Sequence, residues 1–234
     1  MKNKQLAPNF FQTTKRLFIC LTAPFFWSVA SVPGNAGTTF NQVGAPLYVN
    51  SGDNTTGFTL KYGNPCFTVD DNKLIGTEGG GWFALPVVVS GDFQIDFDVY
   101  GDSGDVDSYL ILTDDGSKGG IMFRNCPQDT DDSSIAIHYI ADLTDHDQFY
   151  FPHEPLIFAT ATNFPNKTWV HITITKIGNL LTDNVGGQVI SADASRHNLP
   201  NAIRIGIGYY STTNLGGNGQ IGYANMRIVA IKPR

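Results

Sequence analysis

The stretch Phe93-Gln94-Ile95-Asp96-Phe97-Asp98-Val99 alternates strictly between apolar and polar side chains. Successive side chains of a β-strand point to opposite faces of the sheet, so this spacing is typical of a strand with one buried and one solvated face. The same alternation returns in three later stretches, 169–177, 203–208 and 226–231. These four stretches predict half-buried strands.

The rest of the chain beyond residue 40 fits the same interpretation. Apolar runs at Tyr109–Leu112 and Leu156–Ala159 are typical of central strands covered on both faces. Turn signals recur about every ten residues, and the triple glycine at 79–81 is interpreted as one of these turns. The sequence therefore predicts one all-β domain, residues 41–234, built as an antiparallel two-sheet β-sandwich.

The composition supports this fold class. Of 234 residues, 41 % are hydrophobic and 15 % are charged, which excludes an intrinsically disordered chain. The acids are 19 aspartates and only two glutamates, and there are 25 glycines. Aspartate and glycine favour turns over helix interiors, so a mainly helical protein is excluded.

Negative charge is concentrated in the middle of the chain. Between Asp92 and Asp147 there are 14 acidic residues, against Lys118 and Arg124 as the only lysine and arginine. Such a surface repels the phosphates of nucleic acids and anionic lipids. The sequence therefore predicts no nucleic-acid partner and favours neutral ligands or divalent cations.

The first 40 residues differ from the rest. Residues 1–16 are basic and polar, and residues 17–32 are almost wholly apolar, with small residues at 28–30. This order is typical of a secretory signal peptide. The alternatives are a membrane anchor and an extended assembly arm that binds other copies or neighbouring structural proteins. The aromatic residues of such an arm are Phe10, Phe11, Phe18, Phe25, Phe26 and Trp27. The segment predicts an extracellular, secreted protein or one on the surface of a virion.

Three cysteines leave the redox environment open. Cys20 lies in the leader, and Cys66 and Cys126 each lie beside a proline. The latter two form either a disulfide, as in an oxidising compartment, or two unlinked thiols.

Several segments resemble one known superfamily. They are Gly91–Asp98, Trp169–Lys176, Gly186–Val189, Ile203–Gly208 and Ile221–Ile228. Over about residues 80–232 the chain resembles the concanavalin A-like (laminin-G-like) jelly-roll domains. The resemblance implies a jelly-roll sandwich but leaves the function open, because the superfamily contains lectins, glycanases, adhesion modules and virion proteins.

The resemblance also allows a test for catalysis. Glycanases of this fold carry acids at positions i, i+2 and i+4 of one strand, with the first as the nucleophile. The matching positions here are Gln94, Asp96 and Asp98. An amide cannot form the glycosyl ester, so these residues are interpreted as solvated strand residues and no enzyme activity is predicted.

Two acidic loops are candidates for a single Ca²⁺ site. A hard cation prefers six to eight oxygen ligands, which short carboxylates in glycine- or serine-containing loops supply. The candidate ligands are Asp102, Asp105, Asp107, Asp129 and Asp131. The alternative is that these loops are solvated acidic turns.

Aromatic and polar residues in predicted loops are candidates for sugar binding. Sugar rings stack on aromatic faces, while amide and carboxylate groups bind the hydroxyls. The candidates are Trp82, Asp147, Phe149, Tyr150, Tyr209, Tyr210 and Asn214. The alternative is that the aromatic rings belong to the core of the sandwich or to a protein interface.

Together these observations predict a non-catalytic, lectin-like protein that binds a glycan on the exterior of a cell or particle. One alternative is a structural component of a virion, with a lectin-like domain anchored by the arm. A second alternative is a secreted glycoside hydrolase.

Overall fold

The fold is described from a computed structural model of the chain. The structure describes residues 32–33, 39–76, 79–101, 106–114, 118–126, 135–150, 152, 155–159, 167–197, 199–211 and 219–233. All six aromatic residues of the predicted arm lie outside these residues. No described helix has the length and apolar character needed to cross a membrane.

Seventeen strands and two short helices form within the described residues. The strands are β1 (Val32–Pro33), β2 (Thr39–Gln42), β3 (Tyr48–Asn50), β4 (Thr59–Gly63), β5 (Phe67–Asp70), β6 (Lys73–Gly76), β7 (Gly79–Ser90), β8 (Phe93–Gly101), β9 (Val106–Thr113), β10 (Gly120–Asn125), β11 (Ile135–Ile140), β12 (Pro155–Ala159), β13 (Val170–Ile177), β14 (Leu180–Val185), β15 (Gln188–Asp193), β16 (Ala202–Ser211) and β17 (Ile221–Pro233). The helices are α1 (His146–Tyr150) and a 3₁₀ turn at Ser195–His197.

The strands form two antiparallel sheets. Sheet 1 follows the order β1-β2-β17-β8-β13-β14-β15, with β3 and β6 also paired to β17, and β5 paired to β6. Sheet 2 follows the order β12-β11-β10-β9-β16-β7-β4. The predicted all-β, two-sheet sandwich is confirmed.

The alternating stretches form the strands that the spacing predicts. In β8 the side chains of Phe93, Ile95, Phe97 and Val99 are at most 1 % exposed, and the residues between them lie on the outer face of sheet 1. Each such burial stabilises the fold by about 1.5–3 kcal/mol. The inner residues of β9, β10 and β16 meet this row from sheet 2 and complete the main core.

A second apolar cluster lies on the outer face of sheet 2. It contains Trp82 of β7 and Phe149 of α1, so the short helix covers one part of this sheet. Glycines of β16 provide the space for the indole. A Cβ atom on Gly206 would lie 2.6 Å from the Trp82 ring, and one on Gly208 would lie 2.6 Å from the Trp82 Cβ.

Two predictions about local structure are wrong. The triple glycine at 79–81 begins strand β7 instead of forming a turn. Strand β12, predicted to be central, is the edge strand of sheet 2, and it begins at Pro155, which is common for edge strands. Of the two alternatives left open for the cysteines, the structure has unlinked thiols: Cys66 is exposed and Cys126 is buried.

Candidate functional site

The structure buries three of the predicted sugar-binding rings. Trp82 and Phe149 are 4 % and 0 % exposed within the cluster on sheet 2. Tyr209 is also fully buried, and it faces the main core between the sheets. These rings present no face on which a sugar could stack, which corrects the prediction for all three.

Three half-buried tyrosines remain at the edge of the same cluster. They are Tyr62 of β4, Tyr150 at the end of α1 and Tyr210 of β16, and all three pack against the cluster. The rings of Tyr150 and Tyr210 have centroids 4.7 Å apart, and those of Tyr62 and Tyr150 are 6.0 Å apart. Gly80 permits this arrangement, because a Cβ atom there would lie 2.8 Å from the Tyr150 ring. The three rings form a continuous aromatic surface.

Burial changes the acidity of Tyr150. Desolvation raises the pKa of its hydroxyl to about 12, and the neighbouring Tyr62 and Tyr210 act in the same direction. The hydroxyl is therefore protonated at neutral pH and is able to donate a hydrogen bond.

An ion pair lies beside these rings on the same face of sheet 2. Nε of Arg124 donates to Oδ2 of Asp107 at 2.9 Å, and Nη2 donates to Oδ1 at 3.2 Å. The hydroxyl of Tyr109 donates to the same Oδ2 at 3.0 Å. Burial opposes the charged form of Arg124, but Asp107 raises the pKa of the guanidinium overall. In the register of sheet 2, Asp107 lies directly opposite Tyr210, so the pair and the aromatic surface adjoin.

This ion pair bears on the predicted Ca²⁺ site. Both carboxylate oxygens of Asp107 are bound by Arg124 or Tyr109, and the side chain is almost completely buried. Asp107 is therefore a structural partner of Arg124, which corrects its assignment as a metal ligand. The other four candidates, Asp102, Asp105, Asp129 and Asp131, lie outside the described residues. Across the described ranges, no three His, Cys, Asp or Glu side chains come together as a metal site.

His138 completes the face. It is 4 % exposed on β11, and neither ring nitrogen has a hydrogen-bond partner among the described residues. Burial first, and then the positive charge of Arg124, lower the pKa of His138 to about 4. The imidazole is thus neutral at physiological pH, and because both ring nitrogens are buried it lies beneath the surface of this face.

We call the set Tyr62, Tyr150, Tyr210, Asp107, Arg124 and His138 the tyrosine–arginine face. Its two formal charges cancel, and its histidine is neutral. Two other predicted residues are not part of it. Asp147 is highly exposed and contacts His146 at 3.1 Å, and Asn214 lies outside the described residues.

The prediction missed Tyr62, His138 and the role of Arg124. The sequence carries a signal only for Arg124. It is the one arginine among 14 acids between Asp92 and Asp147, which favours an ion pair with one of them. Tyr62 follows no alternation, and the histidine of β11 is indistinguishable in sequence from a core residue.

Comparison with solved structures identifies the fold. A carbohydrate-binding module, CBM66 from Bacillus subtilis, aligns with a TM-score of 0.55 and 15 % identity, over 76 % of this chain and 98 % of the module. A B. subtilis protein of unknown function with a galectin-like fold gives 0.57 and 11 % identity, over 83 % and 100 %. The Crh5 transglycosylase, in complex with NAG, gives 0.52 and 12 % identity, over 80 % and 84 %.

These likenesses confirm the jelly-roll sandwich of the concanavalin A-like class. No family model matches the sequence, and no curated protein sequence matches it. The similar folds include both binding modules and an enzyme, so the fold alone does not select between these activities.

Proposed function

We propose that this protein is a non-catalytic carbohydrate-binding protein and that its tyrosine–arginine face binds an uncharged glycan. The observation that carries the proposal is the row of half-buried tyrosines directly beside an arginine that is partly exposed and held in place by Asp107. Similar folds occur in carbohydrate-binding modules, and this supports the ligand class.

The chemistry of the face suits a sugar. The C–H surface of a pyranose ring packs on aromatic faces such as those of Tyr150 and Tyr210. Sugar hydroxyls both donate and accept hydrogen bonds, which matches the guanidinium of Arg124, whose side chain is 18 % exposed, and the hydroxyl of Tyr150. Because Asp107 already fixes Arg124, binding orders few further side-chain rotamers.

The charge of the face favours a neutral ligand. Asp107 compensates Arg124, and the lowered pKa of His138 keeps its ring uncharged. An anionic sugar would find no uncompensated cation here, and acids outnumber cations in the surrounding sequence.

Two observations support the non-catalytic assignment. Gln94 occupies the position at which glycanases of this fold carry a nucleophilic acid, and its amide donates to both oxygens of Asp96. On the tyrosine–arginine face, Asp107 is held as an ion pair, whereas double displacement needs two carboxyl groups of different acidity.

The leader supports a location outside the cytoplasm. A polar, basic segment followed by a short apolar run fits secretion, and it also fits an arm in a particle. Intact-mass analysis of the purified native protein separates the two, because only secretion removes residues 1–30.

Affinity electrophoresis in gels containing galactomannan, xyloglucan, dextran or polygalacturonate tests the proposal. We expect retardation by at least one neutral polysaccharide and none by the anionic one. Tyr150→Ala and Tyr210→Ala should each weaken binding about 5- to 30-fold, which corresponds to about 1–2 kcal/mol for a lost aromatic contact. Tyr139→Ala is the control, since Tyr139 lies on the inner side of the same sheet and stacks on His197. Unchanged retardation of both tyrosine variants would overturn the proposal.

A further inference from the structure

The outer face of sheet 1 carries a second group of polar and aromatic side chains, on the side of the sandwich away from the tyrosine–arginine face. It is built by the adjacent strands β17, β8 and β13, whose inner residues fill the main core. We call it the histidine–asparagine face, and it consists of Asp98, Tyr100, Trp169, His171, Asn225 and Arg227.

A β-bulge shapes this face. Ala224 lies opposite Asp98 and Arg227 lies opposite Asp96, so β17 carries one residue more than β8 between these pairs. At the bulge, Asn225 has a φ of +53°, a left-handed conformation that is uncommon for residues other than glycine. Bulges of this kind re-aim side chains and are frequent beside functional sites. Here the bulge brings the exposed Asn225 side chain to Asp98.

Both oxygens of Asp98 are occupied by this arrangement. Nδ2 of Asn225 donates to Oδ2 at 2.7 Å, and Nδ1 of His171 lies 2.8 Å from Oδ1. The hydrogen bond from His171 is the main cause that lowers the pKa of Asp98, and the same bond raises the pKa of His171. The carboxylate thus orients the imidazole, and 60 % of the His171 side chain remains exposed.

The next row of side chains is fixed in the same way. Asp96 accepts hydrogen bonds from Gln94 at 2.7 and 2.8 Å and from Thr173 at 3.0 Å. Arg227 lies 4.0 Å from Asp96 and donates to Gln42. The face is therefore pre-ordered, and each acid has a basic neighbour.

Aromatic rings border the face at one end. Tyr100 and Trp169 are half-buried, and their rings have centroids 5.5 Å apart at an interplanar angle of 36°. The Trp169 indole lies over Gly222, where a Cβ atom would come within 2.8 Å of it. Tyr100 of β8 lies opposite Gly222 of β17. Two residues earlier in β8, Asp98 lies opposite His171 of β13, so this pair adjoins the two rings.

We infer that the histidine–asparagine face is a second carbohydrate site, in which a sugar ring packs on Trp169 and Tyr100 and its hydroxyls bond to His171 and Asn225. The inference takes its ligand class from the proposed function but rests on different residues. Two sites on opposite faces of one sandwich make the protein bivalent, so it cross-links soluble polysaccharide chains.

The substitutions are chosen to keep the fold. Asn225→Gly removes the amide, and glycine adopts a φ of +53° without strain. Trp169→Ala removes the larger ring. Val189→Ala is the control, because Val189 is 40 % exposed at the β15 edge of the same sheet. All variants are compared by circular dichroism before binding is measured.

The experiment combines affinity electrophoresis and turbidity in the galactomannan, xyloglucan and dextran used above. We expect the wild type and Val189→Ala to bind and to precipitate the polysaccharide. Asn225→Gly and Trp169→Ala should still bind but should lose precipitation. The double variant Asn225→Gly/Tyr150→Ala should bind at least tenfold more weakly than Tyr150→Ala alone.

Failures of the two proposals are distinguishable. If Asn225→Gly and Trp169→Ala behave as the wild type, or if the wild type binds without precipitation and only the tyrosine variants lose affinity, the second site is wrong and the first stands. If the tyrosine variants bind normally while Asn225→Gly and Trp169→Ala abolish binding, the first site is wrong and the second stands. Absence of binding to every polysaccharide overturns both.

Discussion

The hydroxyl of Tyr209 is bonded to both backbone groups of Cys66. It accepts a hydrogen bond from the Cys66 N–H at 2.8 Å and donates to the Cys66 carbonyl at 2.9 Å. A side chain from β16 of sheet 2 thus fixes the segment that leads into β5 of sheet 1. Tyr209 therefore joins the two sheets, whereas its sequence neighbour Tyr210 faces the proposed ligand.

Replacement of Tyr209 by phenylalanine should destabilise the protein. The ring would remain, but two backbone groups of Cys66 would lose their partner, at a cost of about 1–3 kcal/mol. Urea unfolding followed by fluorescence measures this change. Tyr100→Phe, at a half-buried tyrosine, should change stability by less than about 0.5 kcal/mol. Equal effects of the two substitutions would show that the bonds to Cys66 do not stabilise the fold.

The glycine beneath Trp82 should not tolerate a methyl group. Gly206→Ala places a Cβ atom 2.6 Å from the indole, and such overpacking costs about 1–3 kcal/mol. Trp82→Phe removes the atoms that clash, so the double variant should be more stable than the sum of the single effects predicts. A thermodynamic cycle from urea unfolding measures this coupling. Strict additivity would mean that the indole does not set the requirement for glycine.

Asp183 should make the fold less stable as the pH rises. It lies between the core residues Leu181 and Val185 and is completely buried, and burial raises its pKa to about 8, with the Asn125 amide opposing this. The native state therefore holds a proton that the unfolded chain releases near pH 4. Between about pH 4 and pH 8 the free energy of unfolding therefore falls as the pH rises, and above that range the effect of this group is constant.

The difference between wild type and Asp183→Asn isolates this effect from other titrating groups. We expect the free energy of unfolding of the variant to fall less steeply from pH 5 to pH 8. Asp147→Asn, at a highly exposed carboxylate, should follow the wild type. Parallel curves for wild type and Asp183→Asn would contradict the prediction.

The pKa values of two histidines should be shifted in opposite directions from the ordinary value of about 6.5. His138 should titrate near pH 4 because it is buried beside Arg124, and His171 should titrate above 6.5 because Asp98 accepts its hydrogen bond. Imidazole chemical shifts in NMR spectra measure both. Asp98→Asn should lower the pKa of His171 and leave that of His138 unchanged.

The sign of the His171 effect on stability follows from the raised pKa. Its pairing with Asp98 stabilises the fold fully below about pH 6.5, and this contribution is lost as the pH rises through the folded-state pKa. A His171 pKa at or below 6.5 would contradict the hydrogen bond to Asp98.

The sequence predicted the strands well where alternation was long. Alternating stretches of seven residues (93–99) and nine residues (169–177) were enough for β8 and β13, since a single shift in register would expose a whole row of apolar side chains. Extending the alternation of Ile203, Ile205 and Ile207 by one step would have predicted that Tyr209 faces the core. The glycine- and asparagine-rich sequence that follows Tyr209 instead favours a loop at this position.

The candidate sites could not be predicted to the same extent. Helix α1 has five residues, too few for a periodic pattern, so its covering of Trp82 was not foreseen. The pairing of Asp107 with Arg124, and that of Asp98 with Asn225, join residues 17 and 127 positions apart. Such contacts depend on which strands become neighbours, and local spacing carries no information about that.

Strand β17 pairs with β2, β3, β6 and β8, all of which precede it in the chain. During synthesis these four strands leave the ribosome before the strand that joins them exists. A product that stops before residue 221 would expose their unpaired backbone groups, and such edges recruit strands from other chains. Whether a chain folds or aggregates thus depends on whether β17 has been synthesised. A chaperone that shields β8 until β17 emerges would raise the yield of folded protein.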